Sequence, residues 1–221
     1  MLRAVLFNLF KNKKIGRAKP LPSLNIFDPN QSFNALDIDR DIEKIIFHYA
    51  HKKMRSIKTT GSQADNVAFL ASNFYDTGGH TECAKNIIDA IKNDYNLGVF
   101  LSKYKRSQEK APQKTAFIKE RVNVYQGVNA SKNNELKAAL KLAQLVNHFS
   151  PKVLIVFMHM DDSVCVATLA LLKKYTDIKI LYFDHGGHYP ALGFRFAHLA
   201  LECNETASRI TKQKRGFNNC K

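Results

Sequence analysis

The sequence lacks the patterns that identify zinc-finger, RNA-recognition and membrane-spanning proteins. Its four cysteines are scattered without a C-x-x-C pair, and no cysteine and histidine spacing matches a finger. No strand carries the aromatic pattern of an RNA-recognition motif. No apolar run approaches the length that spans a bilayer, and no small-residue cleavage site follows the apolar N-terminus. We therefore expect a reduced, cytoplasmic protein that does not bind nucleic acid.

Acidic residues are scarce relative to basic ones. The chain has 34 Lys and Arg against 19 Asp and Glu, which gives a net charge of +15 and a pI near 9.7. Apolar residues still make up 45% of the 221 residues, enough for a folded core. The basic balance indicates acidic partners, and without nucleic-acid motifs these are an anionic membrane surface or phosphorylated small molecules.

The first 22 residues contain no acidic residue at all. Their apolar positions recur at helical spacing: Leu2, Val5, Leu6, Leu9 and Phe10. This pattern predicts either an anchor that lays cations on anionic lipid or an ordinary first helix packed on the domain. A connector and an amphipathic helix at 41–57 follow. Residues 1–60 are thus predicted as a basic, amphipathic helical segment with its connector, and residues 61–221 as the α/β domain.

Apolar strands alternate with amphipathic helices from residue 67 onward, and we find no internal repeat. The predicted strands are 67–71, 97–104, 122–128, 152–158, 178–183 and 199–203, and the main helices are 41–57, 82–93, 114–119, 134–149 and 163–175. Such alternation is typical of parallel strands joined by right-handed crossovers. We therefore predict a Rossmann-like α/β fold, a parallel sheet with helices on both faces.

The first strand is followed by a turn that contains Thr77, Gly78, Gly79 and His80. Two glycines let backbone N–H groups approach a ligand closely, and the start of a helix favours an anion. Thr81 offers a hydroxyl cap for that helix. The turn matches neither G-x-G-x-x-G nor a P-loop, and glycine is also common in turns that are merely tight. We predict a phosphate- or carboxylate-facing loop.

Histidines and aspartates also follow the fourth and fifth strands. In the common strand order 3-2-1-4-5, the carboxyl ends of strands one, four and five are neighbours at the point where strand order reverses. Four of the eight histidines would then meet in one crevice. The predicted catalytic residues are His80, His185, His188 and Asp184. The predicted substrate-binding residues are Thr77, Gly78, Gly79, His159, Asp161, Gly186 and Gly187.

Several of these residues also have a purely structural interpretation. Asp161 and Asp162 are placed to cap the helix that follows them. Asp184 has an alternative role in accepting backbone N–H groups of its own loop. His159 is as compatible with a structural role as with a functional one, and His198, between Ala197 and Leu199, has the context of a packed histidine.

Two segments, GGHTECAKNIIDAIK at 78–92 and LYFDHGGHYPALGF at 181–194, resemble the N-terminal domain of bacterial GT-B glycosyltransferases that build surface polysaccharides. In the second segment His185, His188, Leu192 and Gly193 stand at matching places. The resemblance implies transfer of a sugar from a nucleotide-sugar donor to a hydroxyl or lipid-linked glycan acceptor during cell-surface glycan assembly. It implies no metal cofactor, a role for His80, His185 and His188 near the reacting carbon, and a peripheral position on the inner face of the membrane.

The resemblance covers residues 66–215 and extends to one of the two domains of that family. GT-B enzymes hold most of the donor in a second Rossmann-like domain, and this sequence has no acidic motif for the donor ribose. We therefore expect an N-terminal half that is truncated or completed by a separate donor-binding chain.

Two alternative functions fit parts of the pattern. His159-Met160-Asp161-Asp162 and Asp184-His185 faintly resemble the DHH phosphoesterases, in which carboxylates and imidazoles hold a metal that activates water. The other alternative is a non-catalytic, basic module that docks on an anionic membrane or a partner chain. A module of this kind would still bind liposomes after every loop histidine is replaced.

Overall fold

A computed structural model describes residues 35–54, 61, 63–75, 79–103, 112–129, 134–160, 162–184 and 192–220. The helices are α1 (Ala35–Met54), α2 (Gly79–Ile91), α3 (Pro112–Lys119), α4 (Glu135–Phe149), α5 (Ser163–Tyr175) and α6 (Glu205–Arg215). The strands are β1 (Gln63–Ala71), β2 (Asn96–Leu101), β3 (Val124–Gly127), β4 (Pro151–Phe157), β5 (Lys179–Asp184) and β6 (Leu199–Glu202), with a 3-10 turn at Phe194–Phe196. The amphipathic segment 1–22 lies outside the described residues.

All six strands are parallel and lie in the order β3-β2-β1-β4-β5-β6. The predicted Rossmann-like α/β fold and the predicted strand neighbours are therefore confirmed. The differences are in the boundaries. β2 ends at Leu101, three residues before the predicted end, and α2 begins at Gly79, three residues before the predicted start. Thr81 is thus inside the first turn of α2 rather than at its cap.

Each central strand is buried on both faces, which explains its uninterrupted apolar sequence. Ala68 and Leu70 of β1 belong to a first core beneath α1, α4 and α5. Val67, Phe69 and Ala71 belong to a second core beneath α2 and α3. The two sets of helices lie on opposite faces because right-handed crossovers to the left and to the right of β1 must cross on different sides.

The second face is covered unevenly. α2 and α3 cover it over β1, β2 and β3, whereas no crossover helix of the described chain runs over β5 and β6 on this side. The apolar side chains on this part of the face are half-buried: Val153, Leu181, Phe183, Leu199 and Leu201. We call this set the open face.

Helix α1 packs in the first core although it precedes the sheet in the chain. Ile42, Ile46 and Ala50 are buried against α5 and the 3-10 turn. Near its start, Asp39 is fully buried and accepts hydrogen bonds from the backbone N–H groups of Gly193, at 2.8 and 2.9 Å, and Arg195, at 3.3 Å. α1 is therefore part of the core of the α/β domain.

Asp39 is an unusual carboxyl group because burial raises its pKa from 3.8 to about 7. The hydrogen bonds from Gly193 and Arg195 act in the opposite direction, since they favour the charged form. Gly193 has φ of 97°, and a Cβ there would lie 3.3 Å from atoms of Leu169, Met158 and Tyr182. The segment that meets Asp39 thus needs glycine for both its conformation and its packing.

We predict that replacing Asp39 by Asn changes the pH dependence of stability. Between its ordinary pKa and about 7, the folded protein retains a proton that the unfolded chain has released, so stability falls as pH rises through this window. The free energy of unfolding of Asp39→Asn relative to wild type should therefore rise by roughly 2 kcal/mol between pH 5 and pH 7. Urea unfolding at four pH values between 5 and 8 measures this difference.

The other titrating groups are the same in the wild type and in Asp39→Asn, so their contributions cancel in the difference between the two free energies of unfolding. Asp41→Asn is the matched control, because Asp41 lies on the same helix but pairs with Lys44 at the surface. A relative stability of Asp39→Asn that is constant over pH 5–8 would contradict the prediction.

Candidate active site

The strand order of the sheet reverses between β1 and β4, and we call the carboxyl edge at this switch point the crevice. The crossover that leaves β1 passes over the second face and the crossover that leaves β4 passes over the first, so the two chains separate at this point. Ligands of open α/β sheets bind at such a switch point. The residues that follow β1 and β4 are therefore the first place to look for a site.

A buried carboxylate joins three strand ends below this crevice. Asp162, which follows β4, accepts hydrogen bonds through Oδ2 from the hydroxyls of Ser72 after β1, at 2.5 Å, and Ser102 after β2, at 2.6 Å. All three residues are at most 1% exposed. Through Oδ1, Asp162 also accepts the backbone N–H groups of Val164 and Cys165, so it is the N-cap of α5. The predicted capping role of Asp162 is confirmed.

The same network fixes the backbone of His159. Ser72 donates its proton to Asp162 and accepts the backbone N–H of His159 on its oxygen, at 2.8 Å. The side chain of His159 lies beside Tyr75, with 3.1 Å between Nε2 and the Tyr75 hydroxyl. Tyr75 in turn donates its backbone N–H to Oγ1 of Thr81 in the first turn of α2, at 2.8 Å. A continuous set of hydrogen bonds thus connects α5, β1, His159 and α2.

His80 is a second neighbour of His159. Its ring centroid is 6.5 Å from that of His159 and 5.3 Å from that of Phe157, the last residue of β4. Phe157 also stacks on Phe183 of β5, with ring centroids 4.8 Å apart. Two of the four histidines that were predicted to converge are therefore neighbours in the structure.

The remaining predicted residues are placed differently or lie outside the described part. Thr77, Gly78, Asp161, His185, Gly186, Gly187 and His188 lie outside the described residues. Gly79 is exposed at the start of α2, and a Cβ there would meet no atom within 4 Å. The packing of the described chain therefore does not itself require glycine at this position.

Asp184 is the last residue of β5, and strand alternation places it on a different face of the sheet from the ring that His80 contacts. Side chains alternate along β5, so Asp184 lies on the face of Tyr182, in the first core, whereas His80 packs on Phe157 in the second. Its cross-strand neighbour is Glu202 at the end of β6, and its carbonyl oxygen accepts the Sγ–H of Cys203. The catalytic role predicted for Asp184 stays a prediction.

Sequence reasoning missed Ser72, Ser102 and Tyr75 as parts of the site. A serine directly after an apolar strand was the available signal for Ser72 and Ser102, because both stand where β1 and β2 end. No spacing rule connects them to Asp162, which lies 90 and 60 residues away in sequence. Their association follows only from the parallel alignment of β1, β2 and β4.

The electrostatics beside the crevice are set by ion pairs on α2. Glu82 pairs with Lys85 and with Lys114 of α3, each at 2.9 Å. Hydrogen bonds from these two lysines hold the pKa of Glu82 down at about 2, so it is charged at neutral pH. Its charge also complements the N-terminal end of α2. Burial raises the pKa of the Cys165 thiol well above its ordinary value, so this cysteine is an inert part of the core.

Two kinds of feature are missing from the described residues. They contain no group of three or more His, Cys, Asp and Glu side chains that could hold a metal ion. None of the described helices has the length and the apolar character needed to cross a membrane.

The sheet order and the crevice at its switch point define the class of fold. The chain has a Rossmann-like α/β domain of the type found in GT-B glycosyltransferases. The chain is similar in structure to the apo form of the lipopolysaccharide outer core galactosyltransferase WaaB. The TM-score is 0.55, and the two sequences are 16% identical. The alignment covers 71% of this chain and 44% of the WaaB chain. At this identity the similarity shows the fold.

Comparisons at the level of sequence add nothing to this. No model of a known protein family matches the chain, and no curated protein matches it either. The expected GT-B-like fold is confirmed by the structural similarity, and the reaction must be inferred from the site.

We predict that Asp162→Ala destabilises the domain by about 3–5 kcal/mol, because two buried hydroxyls and two N–H groups lose their acceptor at once. Asn204→Ala is the matched control. Asn204 caps α6 through one hydrogen bond to Ala207 and is exposed, so its loss should cost about 1 kcal/mol. Denaturant unfolding measures both changes, and equal losses for the two variants would show that the network around Asp162 adds nothing beyond a helix cap.

Proposed function

We propose that this chain is the acceptor-side domain of a GT-B-type glycosyltransferase, which transfers a sugar from a nucleotide-sugar donor to a hydroxyl of a cell-surface glycan. The observation that carries the proposal is the pair of imidazoles, His80 and His159, at the switch-point crevice of a GT-B-like sheet. The glycan is free or lipid-linked, since both kinds present the same sugar hydroxyls.

The reaction requires a proton acceptor at the acceptor hydroxyl. A bond forms between the hydroxyl oxygen and the anomeric carbon of the donor sugar, the bond from that carbon to the phosphate oxygen breaks, and a nucleoside diphosphate leaves. The hydroxyl proton must pass to a nearby base, and histidine suits this task because its ordinary pKa is close to neutral pH. The ring of Phe157, which stacks on Phe183, gives His80 an apolar neighbour.

The charge of the chain supports an anionic partner. The net charge of +15 suits attraction to a nucleotide diphosphate, a phosphorylated glycan or an anionic membrane surface. We propose that His185 and His188, with Thr77, Gly78, Asp161, Gly186 and Gly187, contribute to the same site. That proposal rests on the positions of these residues after β1, β4 and β5 and on the resemblance of their loops.

The phosphoesterase alternative is weakened by the environment of Asp162. Both carboxylate oxygens of Asp162 already accept two hydrogen bonds each from protein groups. A carboxylate engaged in this way has no lone pair directed at a metal ion. The His159-Met160-Asp161-Asp162 pattern therefore loses one of its two candidate carboxylate ligands.

The proposal predicts that the chain binds a glycan acceptor through the crevice. UDP-galactose and lipopolysaccharide core oligosaccharide are the first probes, because WaaB is described as a lipopolysaccharide outer core galactosyltransferase. Saturation-transfer NMR measures oligosaccharide binding, and release of UDP measures transfer. The double variant His80→Ala/His159→Ala should lose binding, and any transfer should fall by at least about 100-fold because a general base contributes that much.

His148→Ala is the matched control, since His148 is exposed at the end of α4, at the opposite edge of the sheet. It should behave as the wild type does. Wild-type protein that neither binds the oligosaccharide nor transfers sugar would refute the proposal, and so would a double variant that retains both properties.

A further inference from the structure

The contact of Tyr75 with His159 bears on which nitrogen of the imidazole carries the proton. The Tyr75 hydroxyl lies 3.1 Å from Nε2 of His159, and the side-chain amide of Asn73 donates to the same hydroxyl from 3.4 Å. A phenol has one proton to donate and accepts on its oxygen. With Asn73 directed at the oxygen, the hydroxyl proton is available for Nε2 of His159.

Neutral imidazole has one protonated and one unprotonated nitrogen. If Nε2 accepts the hydroxyl proton of Tyr75, the imidazole proton is on Nδ1. The contact is held from both sides, because Ser72 fixes the backbone of His159 and Thr81 fixes the backbone of Tyr75. The two rings also meet edge to face, with centroids 5.7 Å apart and planes at 60°.

We infer that Tyr75 is a positioning residue that holds His159 in the tautomer protonated on Nδ1, so that neutral His159 acts as a hydrogen-bond donor to an oxygen atom of the ligand. The nitrogen that could accept a proton is occupied by Tyr75. His159 is therefore a binding residue, and the base of the proposed reaction is the neighbouring His80. The ligand chemistry is that of an oxygen acceptor, such as a sugar hydroxyl or a phosphate oxygen.

The tautomer can be measured directly by 15N NMR of the imidazole side chains. The protein is labelled on histidine and observed at about pH 8, well above the ordinary imidazole pKa of about 6.5. In the wild type, Nε2 of His159 should resonate as an unprotonated nitrogen and Nδ1 as a protonated one. In Tyr75→Phe the signals should exchange places, because free histidine prefers the proton on Nε2. His159→Phe assigns the signals.

Tyr95→Phe is the matched control, because Tyr95 is 42% exposed and precedes β2 at the opposite edge of the sheet. It should leave the His159 signals unchanged. A wild-type His159 protonated on Nε2 would overturn the inference, and so would a Tyr75→Phe variant with the wild-type pattern. A merely structural role of Tyr75 predicts neither exchange of signals nor dependence on its hydroxyl.

A second measurement tests the assignment of the donor nitrogen, and it rests on the proposed function. The amide of His159→Asn reaches the position of Nδ1, whereas that of His159→Gln reaches the position of Nε2. Binding of the core oligosaccharide should remain within about fivefold of wild type in the Asn variant, since one hydrogen bond is kept. It should be lost in the Gln variant, as in His159→Ala.

The NMR and binding measurements distinguish a failure of the proposed function from a failure of the inference about Tyr75 and His159. A wild-type chain with the Nδ1 tautomer that binds no oligosaccharide would refute the proposed function and leave the role of Tyr75 intact. Oligosaccharide binding that survives in the Gln variant but not in the Asn variant would overturn the assignment of Nδ1 as the donor.

Discussion

The four hydrogen bonds to the carboxylate of Asp162 are the constraint on which the crevice depends. They connect the carboxyl ends of β1 and β2 with the start of α5, in a position that excludes water. A buried polar group is tolerated only when its hydrogen-bonding capacity is satisfied, so each partner has a defined place. Ser72, held by Asp162, positions the backbone of His159. His159 contacts the Tyr75 hydroxyl, and the backbone of Tyr75 is hydrogen-bonded to α2.

Much of this arrangement could be predicted from the sequence because it follows from the order of strands. A short apolar run followed by glycines and a histidine indicates a buried parallel strand and its turn, and His80 and His159 were brought together as the order β1-β4 requires. The face of a side chain at a strand end could not be predicted equally well. Asp184 is the last residue of β5 and not the first residue of the following loop, so strand alternation places it on the face of Tyr182.

The parts that could not be predicted depend on groups distant in sequence. Ser72 and Ser102 have no distinguishing pattern in the sequence, and their role follows from their contact with Asp162. Likewise, nothing in the segment around Asp39 indicates that it contacts the backbone of Gly193, 154 residues further on. His159 contacts a tyrosine that belongs to no recognisable motif. Such contacts are properties of the packed sheet, and local patterns carry no record of them.

The open face gives the two sides of the sheet unequal tolerance to sequence change. A polar side chain introduced at Ile180 or Tyr182 would have to be desolvated completely, whereas one at Leu181 or Leu199 would keep part of its hydration. Neutral drift should therefore be faster at alternate positions of β5 and β6. Among natural variants of this chain, the positions of Leu181, Phe183, Leu199 and Leu201 would vary in polarity, while those of Ile180, Tyr182 and Ala200 would remain apolar.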